Sequence, residues 1–341
     1  MKLCTFGNSK YLDEHSGKIE LSSPKSSYEI DVKQYLKKVR NEEKLINIKC
    51  DYNTFSSLNI PPFISLENFL IKINKDEGLI MVLINNLSIQ NNNLNQKYIL
   101  YCHENNTDIG LEIPLLIDFS IQFKSNIISF DYSGYGKSSG KINQNKFILN
   151  SDLVIDVLKN EFKINNENLI IFGKEIGAIS ALNICSKNNN INSCILFSPS
   201  FMGMINKKSM SNIIVPTFLI QAKISNSNYN YQYISKFCRS IKKEFEWTCK
   251  QNSISKIIFE KRAKLINKIK EFINIVNNKS NKNSICLSGI ESLNTLPSSG
   301  FVQIEKKKNE SNDLNCTYNN LNNHKKDIVF FSDEEEEDEN E

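Results

Sequence analysis

Leu169 to Ser186 reads LIIFGKEIGAISALNICS. Four apolar residues, Leu169 to Phe172, predict a short buried strand. Gly173-Lys174-Glu175-Ile176-Gly177 predicts a sharp turn, and a helix starts at once behind it. This is the spacing of a nucleophile elbow, G-x-S-x-G, in which a strained strand-to-helix turn presents a serine. The glycines, lacking a Cβ, let strand and helix approach closely. The nucleophile position, however, holds Glu175. The geometry of a reactive turn is written into the chain without its hydroxyl.

The pattern extends in both directions from this turn. Upstream, Phe69–Ile73 and Leu79–Ile84 read as strands joined by the hairpin turn Lys75-Asp76-Glu77-Gly78. Tyr98–Cys102 and Asn126–Asp131 read as apolar strands. Helices fit Gly110–Phe123 and Asn143–Phe162, where apolar residues recur at helical spacing. Downstream, strands are predicted at Ser193–Phe197, Pro216–Gln221 and Glu246–Cys249, and helices at Tyr229–Lys242 and Ile254–Val276. The last helix is strongly amphipathic, and its basic face is most simply solvated. Strands that are apolar throughout and alternate with helices imply a mostly parallel sheet covered on both faces. The fold class is therefore α/β, with an antiparallel hairpin at the start. Cys102, Cys185 and Cys194 fall on apolar positions and read as core thiols.

The ends differ from this middle. Residues 1–58 are polar and rich in Ser, Lys and Asn, and read as an extension that is partly ordered at best. Beyond 278 the periodicity fades, and 279–341 reads as a disordered tail. That tail closes on the acidic run Asp333–Glu341, so the formal net charge of +4 hides a more basic remainder. The lysines are dispersed rather than clustered with aromatics, which does not favour nucleic acid as a partner. The nine cysteines form no CxxC pair and no metal spacing, and no motif calls for a cofactor. Free thiols without a signal peptide point to a cytoplasmic setting. No apolar run approaches the ~18 residues of a membrane helix. Cys4 is a position where acylation could add peripheral contact with a membrane face. Ser332, followed by acids, would suit an acid-directed kinase.

Four segments together carry a resemblance. YCHENNTDIG (Tyr101–Gly110), NIISFDYSGYGKSSG (Asn126–Gly140), NLIIFGKEIG (Asn168–Gly177) and ILFSPSFMGM (Ile195–Met204) resemble the α/β-hydrolases. Within them the chain looks most like the small depalmitoylase-like group, related to palmitoyl-protein thioesterases. The resemblance runs from about Pro61 to Asn277 and implies a domain at 59–278. It implies an oxyanion region around His103 and Glu104, completed by Glu175 and Ile176. It also implies a Ser–Asp–His triad, whose matching positions here are Glu175, Ser225 and Gln251. None is the residue that the family uses. The loop 222–228 contains no acid, and none of the three histidines, His15, His103 and His324, follows the last strand. Asp131 and His103 read as turn-forming rather than catalytic, and Ser198 as structural. Only about 18 residues separate the strands around Phe197 and Pro216, which leaves no room for a lid domain.

Acyl transfer on this scaffold needs an activated nucleophile, an oriented base and oxyanion donors. Two of the three are missing by residue type. The expectation is a catalytically degenerate pseudoenzyme that binds or scaffolds, meeting a protein partner through its extensions. The alternative is a hydrolase of esters or protein thioesters with a nonstandard site, in which Glu175 would attack as a carboxylate. For Glu175 itself the sequence suggests an internal cap, its carboxylate accepting from the free N–H groups of the following helix. Glu104 would then repel it unless Lys174 or Lys223 intervened.

Overall fold

A computed structural model of the chain describes residues 21–38, 43–52, 60–89, 96–200, 204–223, 242–248 and 262–291, together with Ile234, Lys236 and Cys238. Two two-residue strands, β1 (Tyr28–Glu29) and β3 (Asp51–Tyr52), pair antiparallel and flank α1 (Val32–Lys38) and β2 (Leu45–Ile48). The rest follows as β4 (Ile64–Lys72), β5 (Gly78–Asn86), β6 (Tyr98–Cys102), α2 (Ile109–Phe123), β7 (Asn126–Phe130) and α3 (Gln144–Asn160). Then come β8 (Leu169–Lys174), α4 (Ala178–Lys187), β9 (Ser193–Phe197), α5 (Lys207–Ser211), β10 (Thr217–Lys223), β11 (Lys242–Thr248) and α6 (Arg262–Glu291). Nine strands form one sheet in the order β11-β10-β9-β8-β6-β7-β5-β4-β2. From β11 to β7 neighbours run parallel; β5, β4 and β2 add antiparallel partners at the other end.

The continuous apolar strands are explained by their two faces. In β5, Leu79, Met81 and Leu83 enter one core, with the helices α3 and α4. Ile80, Val82 and Ile84 enter the other, with α2 and α6. The same alternation splits β8, with Leu169 and Ile171 on one side and Ile170 and Phe172 on the other. A strand buried on both faces has no use for polar residues. The predicted hairpin turn forms because Asn74 Oδ1 accepts the N–H groups of Asp76 and Glu77, at 2.8 and 2.9 Å. Cys102, Cys185 and Cys194 are free thiols, wholly enclosed. No described helix is long and apolar enough to cross a membrane.

Three sequence expectations need correction. The domain does not begin at 59, because β2 pairs with β4 in the main sheet and Tyr28 is completely buried. The average polarity of the first 58 residues concealed a few well-spaced anchors, Tyr28, Val32, Leu36 and Tyr52, each buried. The last helix is described from Arg262 and runs on to Glu291, past the predicted boundary at 278. Once its first turns are packed, further residues add helix at little cost, even Ser and Asn. The strand predicted at Glu246–Cys249 begins earlier, at Lys242. Most of the helix predicted at Tyr229–Lys242 lies outside the described residues, as do 1–20 and 292–341.

Candidate functional site

Strand β8 ends in the predicted sharp bend. Glu175 takes φ 48°, a left-handed conformation that costs a non-glycine residue about 1–3 kcal/mol. A single 3-10 turn, Glu175–Gly177, leads straight into α4. The bend is held from outside, since the Ser200 N–H donates to the Glu175 carbonyl at 2.9 Å. It also requires glycine: a Cβ on Gly177 would lie 2.0 Å from the Cys102 carbonyl oxygen. The elbow is therefore pressed against the end of β6, which carries His103 and Glu104.

The Glu175 side chain does not cap the helix. Neither the 3-10 turn nor α4 receives a side-chain cap bond, so the expected internal cap is corrected. The elbow turns the carboxyl towards Glu104 instead. Burial, the Glu104 charge and a hydrogen bond shared with Glu104 push the Glu175 pKa up to about 8. Glu175 thus carries a proton at neutral pH and donates it to its neighbour. Lys174, the last residue of β8, stands 2.9 Å from Glu104 and 3.9 Å from Glu112. Burial lowers its pKa, but Glu112 and Glu104 outweigh this and raise it. Tyr101 donates to Glu112 at 3.0 Å, and Thr107 donates to the same carboxylate at 3.3 Å. The result is a buried ionic network in which one ammonium serves two carboxylates.

His103 is buried beside Glu104 but engaged elsewhere. Its ring lies 4.5 Å from that of Tyr132. Nδ1 meets the Glu104 carbonyl at 2.7 Å, which requires an N–H there. Nε2 stands 3.3 Å from Asp131 Oδ1, within ion-pair range though off the line of a hydrogen bond. Burial pushes the Asp131 pKa up, while His103 and the Tyr28 hydroxyl pull against it. The same carboxylate accepts the Ile109 N–H at 2.9 Å and the Tyr28 hydroxyl. The His103 pKa is accordingly raised, with burial opposing and Asp131 prevailing. Asp131 thereby ties β7, the start of α2 and the N-terminal segment to one point.

Residues 136–289 match the family model described as platelet-activating factor acetylhydrolase, isoform II. The alpha/beta hydrolase domain-containing protein aho-3 of Caenorhabditis elegans is 30% identical over 106 residues, 31% of this chain and 32% of that protein. Alpha/beta hydrolase domain-containing protein 17B of Xenopus tropicalis is 33% identical over 111 residues, 32% of this chain and 38% of its own length. The chain thus spans about a third of the length of these relatives. Among solved structures, the esterase Pf2001 of Pyrococcus furiosus superposes with a TM-score of 0.50 at 17% identity, covering 62% of this chain and 91% of that one. A cold-adapted esterase from an Arctic intertidal metagenomic library gives 0.50 at 11%, covering 62% and 95%.

The chain has the α/β-hydrolase fold.

Glu175 stands at the bend between β8 and α4, next to Ile176, and His103 and Glu104 lie beside it at the end of β6. The other two triad positions, Ser225 and Gln251, lie outside the described residues. The connection from β9 to β10 contains only the short helix α5 among its described residues. A polar hollow of about 780 Å³ opens between Glu29, Asp31, Lys33, Lys49 and Lys137, but no elbow residue lines it. Among the described residues no group of His, Cys, Asp and Glu is arranged to hold a metal ion. Sequence reasoning missed Glu112 and Tyr28. Glu112 could have been found, because it lies three residues after Ile109 and four before Leu116, on the stripe that α2 buries. Tyr28 gave no local signal.

Proposed function

We propose that this chain is a catalytically silent α/β-hydrolase module that works by binding. One observation carries the reading: the elbow presents a carboxyl already paired with Glu104, itself held by Lys174. A protonated carboxyl is a poor nucleophile, and activation would need a base beside it. The imidazole of His103 makes its contacts to Asp131 and to the Glu104 carbonyl instead. The space in which an oxyanion would be held is bordered by acids, which repel a developing negative charge rather than stabilise it. The module would sit in the cytoplasm or at a membrane face and meet a protein partner through its extensions. The acidic run Asp333–Glu341 is suited to a basic surface.

A second reading has one observation in its favour. The strained φ of Glu175 is the conformation that a working elbow keeps. In that case the chain would be a hydrolase of esters or protein thioesters, the class that the sequence resemblance implies. A short-chain thioester and a fluorophosphonate probe, applied to the full-length protein, separate the two. The binding reading expects no turnover above buffer and no covalent label, also after Glu175→Ser. Turnover that disappears in Glu175→Ala would overturn it in favour of the hydrolase.

A further inference from the structure

Leu21–Glu29 lies across the loop that follows β6, and its contacts are unusually specific. The Ser22 N–H donates to Asn105 Oδ1 at 3.1 Å, and the Asn106 N–H returns a bond to the Ser22 carbonyl at 3.1 Å. The Ser27 N–H donates to Asp108 Oδ2 at 2.7 Å, and the Ser27 hydroxyl donates to the other oxygen of the same carboxylate. Asp108 also caps α2 by accepting from the Leu111 N–H at 3.0 Å. The Tyr28 hydroxyl donates to Asp131 and accepts from the Lys137 N–H at 3.2 Å. Lys137 Nζ stands 2.5 Å from Glu29. Both receiving carboxylates, Asp108 and Asp131, are fully buried. The seat is shaped for this segment: a Cβ on Gly110 would lie 2.1 Å from Ser27 Oγ.

The segment is held by hydrogen bonds along its length and by Tyr28, which enters the second core. Among the described residues its ladder is the two-residue pair β1 and β3. Tyr28 is buried and Leu21 packs at the edge of the core that contains Ile176, while Lys25 between them is exposed. A two-residue ladder and an exposed Lys25 set this segment apart from the long ladders of the main sheet, and a unit so joined can open without the sheet.

We propose that Leu21–Glu29 is a releasable strap, an intramolecular ligand of the 105–108 loop, and that its seating fixes where Glu104 stands against the elbow. Seated, it supplies the Tyr28 hydroxyl to Asp131 and clamps the loop that begins one residue after Glu104. Released, it leaves the loop free to move and opens a polar seat with two uncovered carboxylates. Whether the elbow turns over substrate does not enter into this.

The experiment uses the full chain and the exposed Lys25 as a reporter. Ser27→Asp places a carboxylate against Asp108 where a hydroxyl donated, which converts an attraction into a repulsion. The expected result is tryptic cleavage after Lys25 accelerated by at least about tenfold. Amide exchange should rise in the 103–110 segment, while β8 and α4 stay protected. Tyr28→Phe, which removes one donor and keeps the packing, should give the same pattern with a smaller rise. Unchanged cleavage and exchange in both variants would overturn the proposal, because the strap would then not be held by these carboxylates. A uniform rise across β8 and α4 would overturn it equally, because the segment would be part of the global unit and not separable.

Discussion

A carboxyl group placed on the sharp bend makes the stability of this protein depend on pH in a definite direction. The Glu175 pKa rises from 4.5 to about 8 on folding, through burial first and Glu104 second. The folded state therefore holds a proton that the unfolded chain releases. The stability linked to this proton is fully present below the unfolded pKa and is lost as pH climbs towards about 8. Glu175→Gln keeps the shape and a donor for Glu104 but cannot ionise. It should leave stability nearly unchanged near pH 5 and raise it on the order of 2 kcal/mol near pH 8.5, read as denaturation midpoints across the range. An equal shift at both ends would mean that Glu175 does not titrate in the folded protein. At this scale the sequence was half legible. The acid at the bend and the Lys174 counter-charge can be read from neighbouring letters. The nearness of Glu104 to Glu175 came from the resemblance rather than from local spacing, and the bond from Tyr28 to Asp131 depends on a tertiary contact that no local spacing encodes.

At the scale of elements, period decides what could be foreseen. The central strands are short and apolar on both faces, so their positions matched the sequence reading within a residue or two: Ser193–Phe197 is β9, and Tyr98–Cys102 is β6. Ends were harder, because α6 extends into polar sequence once its packed turns have formed. That packing can be tested. Phe272 lies on the inner face of α6, buried, with its ring 5.2 Å from that of Phe218 on β10. Phe272→Ala should cost about 3–5 kcal/mol in chemical denaturation, the range for deleting a buried aromatic. Ile275, on the same helix but exposed, serves as the control; Ile275→Ala should stay within about 0.5 kcal/mol. Equal costs would mean that α6 faces the sheet differently.

Across the whole molecule, one sheet separates two cores, and the chain ends are what close the second of them. α6 covers it from the C-terminal side, and Tyr28, Val32, Leu36 and Tyr52 from the N-terminal side. This explains why the polar beginning of the chain was misread. Its role is to fill gaps on a face that other elements create, and the mean polarity of a segment does not register four anchors. It also explains why the hydrolase core alone, as outlined by resemblance, would leave apolar surface uncovered.

Cys102, Cys185 and Cys194 lie in that divided interior with no solvent contact. Burial pushes the Cys102 thiol up, and Cys194 is raised by its contact with Cys185 together with burial. Alkylation needs contact with the reagent, so the folded protein withholds all three from it by burial. A pulse of iodoacetamide becomes a stopwatch for the interior. The three sites should gain mass together, at the rate at which the molecule opens as a whole, and a site that gains it early would locate the part of the sheet that opens first.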